Sequence, residues 1–227
     1  MNERRLIVNA DDFGRSRSVN RGVIEAHEHG IVTSASLMVR WPAAAEAAAY
    51  AREHRALSVG LHVDVGELVW RRGGWVPVYE VEGDPGAVVV AQAERFRELV
   101  GRDPTHLDSH QHRHREEPWR SILLDVAASL AVPLRDFSTV VRYCGDFYGQ
   151  GENGVPFPQG ISVDRLRRIL ASLQPGVTEL GCHPGTTGPL SSAYRDERPH
   201  ELRTLCDPRV RAALADEGIG LQSFAEL

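Results

Sequence analysis

The sequence predicts an α/β protein whose parallel strands form a (β/α) barrel or near-barrel with one polar rim. Two observations carry this. Strand-like and helix-like segments alternate along the 227 residues at the spacing of βα units. Chemistry-bearing side chains also gather at the ends of four of the apolar runs, and in such proteins the carboxyl ends of the strands converge on the ligand.

The elements follow in order. Residues 5–10 (Arg-Leu-Ile-Val-Asn-Ala) form the first strand, and after a turn at Gly14 the stretch 18–29 carries Val19, Val23 and Ile24 at helical spacing before Gly30 stops it. Residues 31–39 are a second strand, and Pro42 opens an alanine-rich helix to about residue 54. The run 58–65 is a third strand. Asp84-Pro85 starts a helix with Val88, Phe96, Leu99 and Val100 apolar, ended by Gly101. Residues 105–110 make the fourth strand, Pro118 begins the next helix, and Val132-Pro-Leu-Arg135 is a short fifth strand. Ser162 caps a helix carrying Leu166, Ile169, Leu170 and Leu173, residues 177–182 are the sixth strand, and Asp207-Pro208 caps the last helix.

Two segments break the alternation. Residues 66–83 hold Trp70, Trp75 and Tyr79, and residues 144–161 hold Phe147 and Tyr148. Both are expected to be long irregular loops, which in compact domains usually bind something. Their aromatic rings suit the flat faces of sugars and other small ligands, so Phe147 and Tyr148 are candidate substrate contacts. There is no internal repeat, linker or low-complexity tract, and residues 1–227 read as one catalytic domain.

Composition narrows the function classes. Hydrophobic content of 42% and charged content of 25% are ordinary for a globular domain, and a net charge of −5 points to neither a nucleic acid nor an anionic membrane as partner. Cys144, Cys182 and Cys206 are few and widely spaced, as free thiols in a reducing compartment are. The N-terminus has no apolar stretch long enough for a signal peptide or a membrane span, which makes the cytoplasm the expected location.

The strand ends suggest a metal-dependent hydrolytic site. Asp11 and Asp12 follow the first strand, and adjacent carboxylates are costly unless a cation is shared. His62 ends the third strand, His110 the fourth and His183 the sixth. Asp12, His62 and His110 form the best ligand trio for one divalent ion, with mixed imidazole and carboxylate donors that favour Zn and also suit Mg or Mn. Asp11 is then free to act as base and His183 as acid. His106, Asp108, His110, His112 and His114 share parity, so an extended chain would point them one way. Taken singly, each cluster has an ordinary explanation: turn and cap aspartates, a hydrogen-bonded core histidine, or His112 and His114 as partners that orient His110. Their joint occurrence carries the reading.

The runs Leu6-Ile-Val-Asn-Ala-Asp-Asp-Phe-Gly14, Thr33-Ser-Ala-Ser-Leu-Met38, Val59-Gly-Leu-His62, Pro104-Thr-His-Leu-Asp-Ser-His-Gln-His112, Phe147-Tyr-Gly149 and Cys182-His-Pro-Gly185 resemble the YdjC-like carbohydrate deacetylases. That family includes chitooligosaccharide and hopanoid-biosynthesis deacetylases. The resemblance spans essentially the whole chain. It implies a distorted TIM-like (β/α) barrel of the glycoside hydrolase and deacetylase type, a divalent metal, and removal of an N-acetyl group from a small amino-sugar substrate. By position it implies Asp11 as base, Asp12, His62 and His110 as ligands, and His183 as acid. Relatives of this kind are often dimers, so a homodimer is one expected assembly. Val63-Asp-Val-Gly66 after the third-strand histidine departs from many members, and this touches the choice of substrate more than the reaction. Two competing readings are another amide or ester hydrolase on the same scaffold and a sugar-binding regulator without catalysis. The joint presence of Asp11, Asp12, His62, His110 and His183 speaks against the regulator.

Overall fold

The first strand, β1 (Arg4–Phe13), is the spine of the computed structural model, which describes residues 3–227. Leu6, Ile7 and Val8 are all fully buried, as expected for a parallel strand covered on both faces. After it come α1 (Arg17–Glu28), β2 (Ser34–Leu37), α2 (Ala44–Glu53), β3 (Ser58–Val63), β4 (Gly66–Arg71), β5 (Gly74–Glu80), α3 (Pro85–Val100) and β6 (Leu107–Ser109). The chain continues with α4 (Trp119–Leu130), β7 (Val141–Cys144), α5 (Val163–Ser172), β8 (Gly176–Cys182), α6 (Arg198–Leu205), α7 (Pro208–Asp216) and β9 (Ile219–Leu221).

The main sheet is parallel throughout, in the order β6-β3-β2-β1-β8-β7, and β9 pairs with the first residues of β1. It curls into a half-barrel, open between β6 and β7. The register aligns His62 of β3 with Asp108 of β6, and Ala10 of β1 with Cys182 of β8, so the strand ends that precede the candidate site residues lie at one rim. Helix ends follow their sequence signals: Asp84 accepts from Ala87 N at 2.9 Å, Ser162 from Arg165 N at 3.2 Å and Asp207 from Arg209 N at 2.9 Å, while Gly101 closes α3 with φ 76°.

Three expectations need correction. The fifth strand at 132–135 reduces to a single bridge between Leu134 and Leu107. Pro133 has no N–H to extend a ladder along β6, and the strand that pairs with β8 is β7 at Val141–Cys144. Residues 66–80 form an antiparallel hairpin, β4–β5, whose turn residues Arg72 and Gly73 both take positive φ (50° and 85°), as a two-residue hairpin turn requires. Arg-Gly is a weaker hairpin signal than Asn-Gly, which hid this turn in the sequence. The shared parity of the histidine run ends at Ser109, because Gln111 and His112 adopt left-handed conformations (φ 51° and 54°) within the 3₁₀ segment His110–Arg115. One helix carried no expectation from the sequence: Arg198–Leu205, which has no distinct apolar face.

Candidate active site

Two adjacent strand residues ordinarily point to opposite faces. Here the β1–β2 register slips between Ala10 and Phe13, and Asp12 takes φ 66°, a left-handed conformation that is uncommon for a residue with a side chain. This bulge puts both carboxylates, each nearly fully buried, on the rim of one cleft. Backbone strain of this kind concentrates at functional sites.

Asp12 meets His62 and His110. Its Oδ1 lies 3.4 Å from His62 Nε2 and 2.9 Å from His110 Nδ1, and all three ligand-type atoms fall within 4.8 Å of one another. Arg198 pairs with the other oxygen, Oδ2, while Oδ1 is buried with no hydrogen bond of good geometry. On its outer edge, His62 Nδ1 donates to Asp108 Oδ1 at 2.7 Å, the carboxylate–histidine arrangement that orients metal-binding imidazoles. Burial would discharge the His62 ring, but Asp108 first, then Asp12 and Asp11, outweigh it and push its pKa up to about 10. Burial likewise opposes the Asp12 charge, yet His110 and Arg198 hold its carboxyl well below the usual carboxylate range. An orphaned carboxylate oxygen beside two imidazole nitrogens fits a divalent cation.

Asp11 faces the other way, onto Arg135. Arg135 Nη1 donates to Asp11 Oδ2 and Nη2 to Asp11 Oδ1, both at 2.7 Å, and Asn9 Nδ2 adds a bond to Oδ1 at 3.0 Å. The same guanidinium contacts Asp108 Oδ2 at 2.7 Å and Glu179 Oε1 at 2.6 Å, and it lies 4.8 Å from the centre of the Tyr143 ring. One cation cannot hold three buried carboxylates equally. Burial works against the charge of Asp11, but Arg135 prevails and lowers its pKa. Asp108 is lowered as well, with Arg135 and His62 overcoming burial. Glu179 goes the opposite way, pushed by burial to about 7 despite Arg135.

His183 Nε2 lies 3.8 Å from Asp11 Oδ2, with the ring about a fifth exposed. Its backbone N–H donates to buried Glu201, which also accepts from the Tyr194 hydroxyl. The following Pro184-Gly185 turn packs against α1 so closely that a Cβ on Gly22 would overlap the Gly185 backbone. Tyr148 stands edge-on to His183 at 5.6 Å and stacks on Tyr194 at 4.5 Å. Its neighbour Phe147 is 1% exposed and joins the hydrophobic core, so Tyr148 presents a ring to the cleft while Phe147 backs the wall.

The structure thus brings Asp11, Asp12, His62, His110 and His183 to one cleft of about 1000 Å³, bordered also by Phe147 and Tyr148. His112 lies on its wall with Nε2 3.4 Å from the Tyr143 hydroxyl, and His114 bonds Ser109 and Asp136. His106 and Asp108 turn inward to Ser36 Oγ at 3.0 and 2.7 Å. Sequence reasoning missed Arg135, Glu179 and Arg198. Arg135 does end a predicted strand, and Glu179 is a lone charge inside an apolar one; both were detectable. Arg198 gave no signal, since its position depends on how α6 docks.

Comparison with known proteins adds family information. The family profile described as YdjC-like protein matches residues 5–81 and 86–216. A carbohydrate deacetylase of Geobacillus stearothermophilus is 36% identical, the match covering 98% of both chains. A chitooligosaccharide deacetylase of Serratia marcescens is 33% identical over 99% of this chain and 100% of its own. Among solved structures, an Enterococcus faecalis protein provisionally assigned to cellobiose-phosphate cleavage superposes with a TM-score of 0.80 at 24% identity, covering 99% and 98% of the two chains. A family 4 carbohydrate esterase from Streptomyces lividans, solved with acetate, matches at a TM-score of 0.56 and 14% identity over 97% and 93%, a likeness of fold.

Proposed function

The chain belongs to the YdjC-like protein family, and from that premise we propose that it is a metal-dependent carbohydrate deacetylase that removes the N-acetyl group of a small amino sugar. The observation that carries the metal dependence is the orphaned Asp12 Oδ1 between His62 and His110. Asp12, His62 and His110 would hold one divalent ion, Zn or alternatively Mg or Mn. Such an ion, when bound, polarises a carbonyl and makes water a stronger acid.

The chain's own residues divide the proton transfers. Asp11, fixed by the Arg135 fork, takes a proton from the water that attacks the acetyl carbon. His183, across from Asp11 Oδ2, gives a proton to the departing nitrogen as the C–N bond breaks, leaving acetate and a free amine. Tyr148 lies beside His183 and forms the wall against which the reacting sugar rests. Three free thiols support a reducing, cytoplasmic setting.

The test is acetate release from a panel of N-acetylated mono- and oligosaccharides, run with metal-replete and chelator-treated protein. Release that depends on metal supports the reading. Release of acetate from O-acetyl but never from N-acetyl sugars would replace the amide with an ester as the substrate bond.

A further inference from the structure

The hairpin β4–β5 lies outside the main sheet and takes no part in the chemistry above. A two-stranded hairpin is marginal alone, yet this one is fastened to the catalytic rim at three points. Gln111, the residue after His110, accepts from Leu68 N–H and donates to Leu68 C=O, both at 2.8 Å. Glu67, buried, pairs with Arg15 and accepts from Ser192 Oγ and Ala193 N at 3.2 Å each. Tyr79 donates to Asp64 Oδ1 at 2.8 Å and meets Trp41 edge-on.

So anchored, the hairpin carries two tryptophans into the cleft wall. Trp70 and Trp75 are directly paired across the strands, their rings edge-to-face at 5.5 Å, and both line the same cleft as Asp11, Asp12 and His183. Trp75 is 55% exposed, a large apolar ring left facing solvent inside a binding cleft. The turn Glu152–Gly154, which approaches β4, lines the same cleft. A cleft of about 1000 Å³ is at the upper end of the ~300–1,000 Å³ range of small-molecule sites and exceeds the need of one sugar ring.

We propose that Trp70 and Trp75 form a second sugar subsite, an apolar platform that takes the neighbouring pyranose of an oligosaccharide whose N-acetylated ring is at Asp12, His62 and His110. This rests on the deacetylase reading and assigns the second ring of an oligosaccharide, the substrate form named for the Serratia marcescens relative, to these two side chains. The chemistry is the fit of a pyranose C–H face to an indole face, which gives apolar contact without requiring a particular hydroxyl pattern. The Gln111 side-chain amide ties the platform to the segment that begins with His110 and so holds the two subsites at one spacing.

The experiment compares N-acetylglucosamine with its β-1,4-linked dimer and trimer as substrates of the wild type, Trp75→Ala, Trp75→Phe and Trp70→Ala. Binding of the dimer is measured alongside by calorimetry. The expected result is that both alanine variants lose about tenfold or more in kcat/KM on dimer and trimer, mostly through KM, while monomer turnover and metal content stay unchanged. Trp75→Phe restores most of the loss. Equal losses on monomer and dimer, or none on either, overturn the subsite and leave deacetylation standing. Dimer binding that weakens in Trp75→Ala, in a wild type that releases no acetate, supports the platform and refutes the reaction instead. A wild type that neither binds nor cleaves any of the three sugars overturns the subsite as a reader of this sugar class.

Discussion

Arg135 grips Asp11 with two parallel bonds of 2.7 Å, one from each terminal nitrogen. The fork does two things for the carboxylate. It fixes the plane of Asp11 so that Oδ2 faces His183 Nε2, and it keeps the group ionised inside a buried rim where desolvation alone would neutralise it.

Arg135→Lys therefore tests positioning separately from charge. Lysine supplies a cation but no planar fork. The expected outcome is a kcat lower by about 10²-fold, the low end of what displaced acid–base groups cost, with metal content unchanged. Arg135→Ala leaves three buried carboxylates without their cation and should cost about 3–5 kcal/mol of stability, read by chemical denaturation. A Lys variant with full kcat would show that the fork has no role in placing the base.

Glu179 gives the protein a pH-dependent stability term of definite sign. Its pKa is raised to about 7 in the folded state by burial, from an ordinary value near 4.5, so the folded state binds the extra proton between those values. Stability should fall as pH rises from about 5 to 7 on this group's account, and level off above. Glu179→Gln removes that slope. Melting temperatures of the two proteins across pH 5 to 8 should show the variant gaining on the wild type as pH rises; parallel curves would mean that Glu179 is ionised throughout.

Gly22→Ala probes the support of His183 from behind. The new methyl would overlap the Gly185 backbone, and overpacking of this kind costs about 1–3 kcal/mol. We expect a lower melting temperature together with reduced kcat, because the turn that carries His183 must shift. Metal stoichiometry should be untouched, since Asp12, His62 and His110 lie on other elements. An unchanged melting temperature would show that the α1 contact is loose.

Most residues of the candidate cleft were legible because they end apolar runs. Asp11, Asp12, His62, His110 and His183 were readable as strand-end side chains, and the register of β1, β3 and β8 brings those ends together. The sequence could not show how adjacent Asp11 and Asp12 share one cleft, since that depends on a bulge and a positive φ at Asp12. Nor could it reveal the hairpin, whose alternation is interrupted by Pro77 and by the register shift between Glu67 and Leu68. The ion-pair network stayed hidden for a different reason. Arg135 and Arg198 reach Asp11 and Asp12 across 124 and 186 residues of chain, and only the closed fold brings them within bonding distance.

The division of labour between the two adjacent aspartates is the central claim, and metal stoichiometry measured beside turnover in Asp11→Asn and Asp12→Asn tests it most directly. Asp11→Asn should retain its metal and lose about 10²- to 10⁴-fold in kcat, the range for a general base, because an amide cannot take the proton. Asp12→Asn should instead lose metal, a neutral amide being a poor partner for a cation between His62 and His110. A metal-free Asp11→Asn protein beside a metal-loaded, inactive Asp12→Asn protein would contradict the account and exchange the two roles.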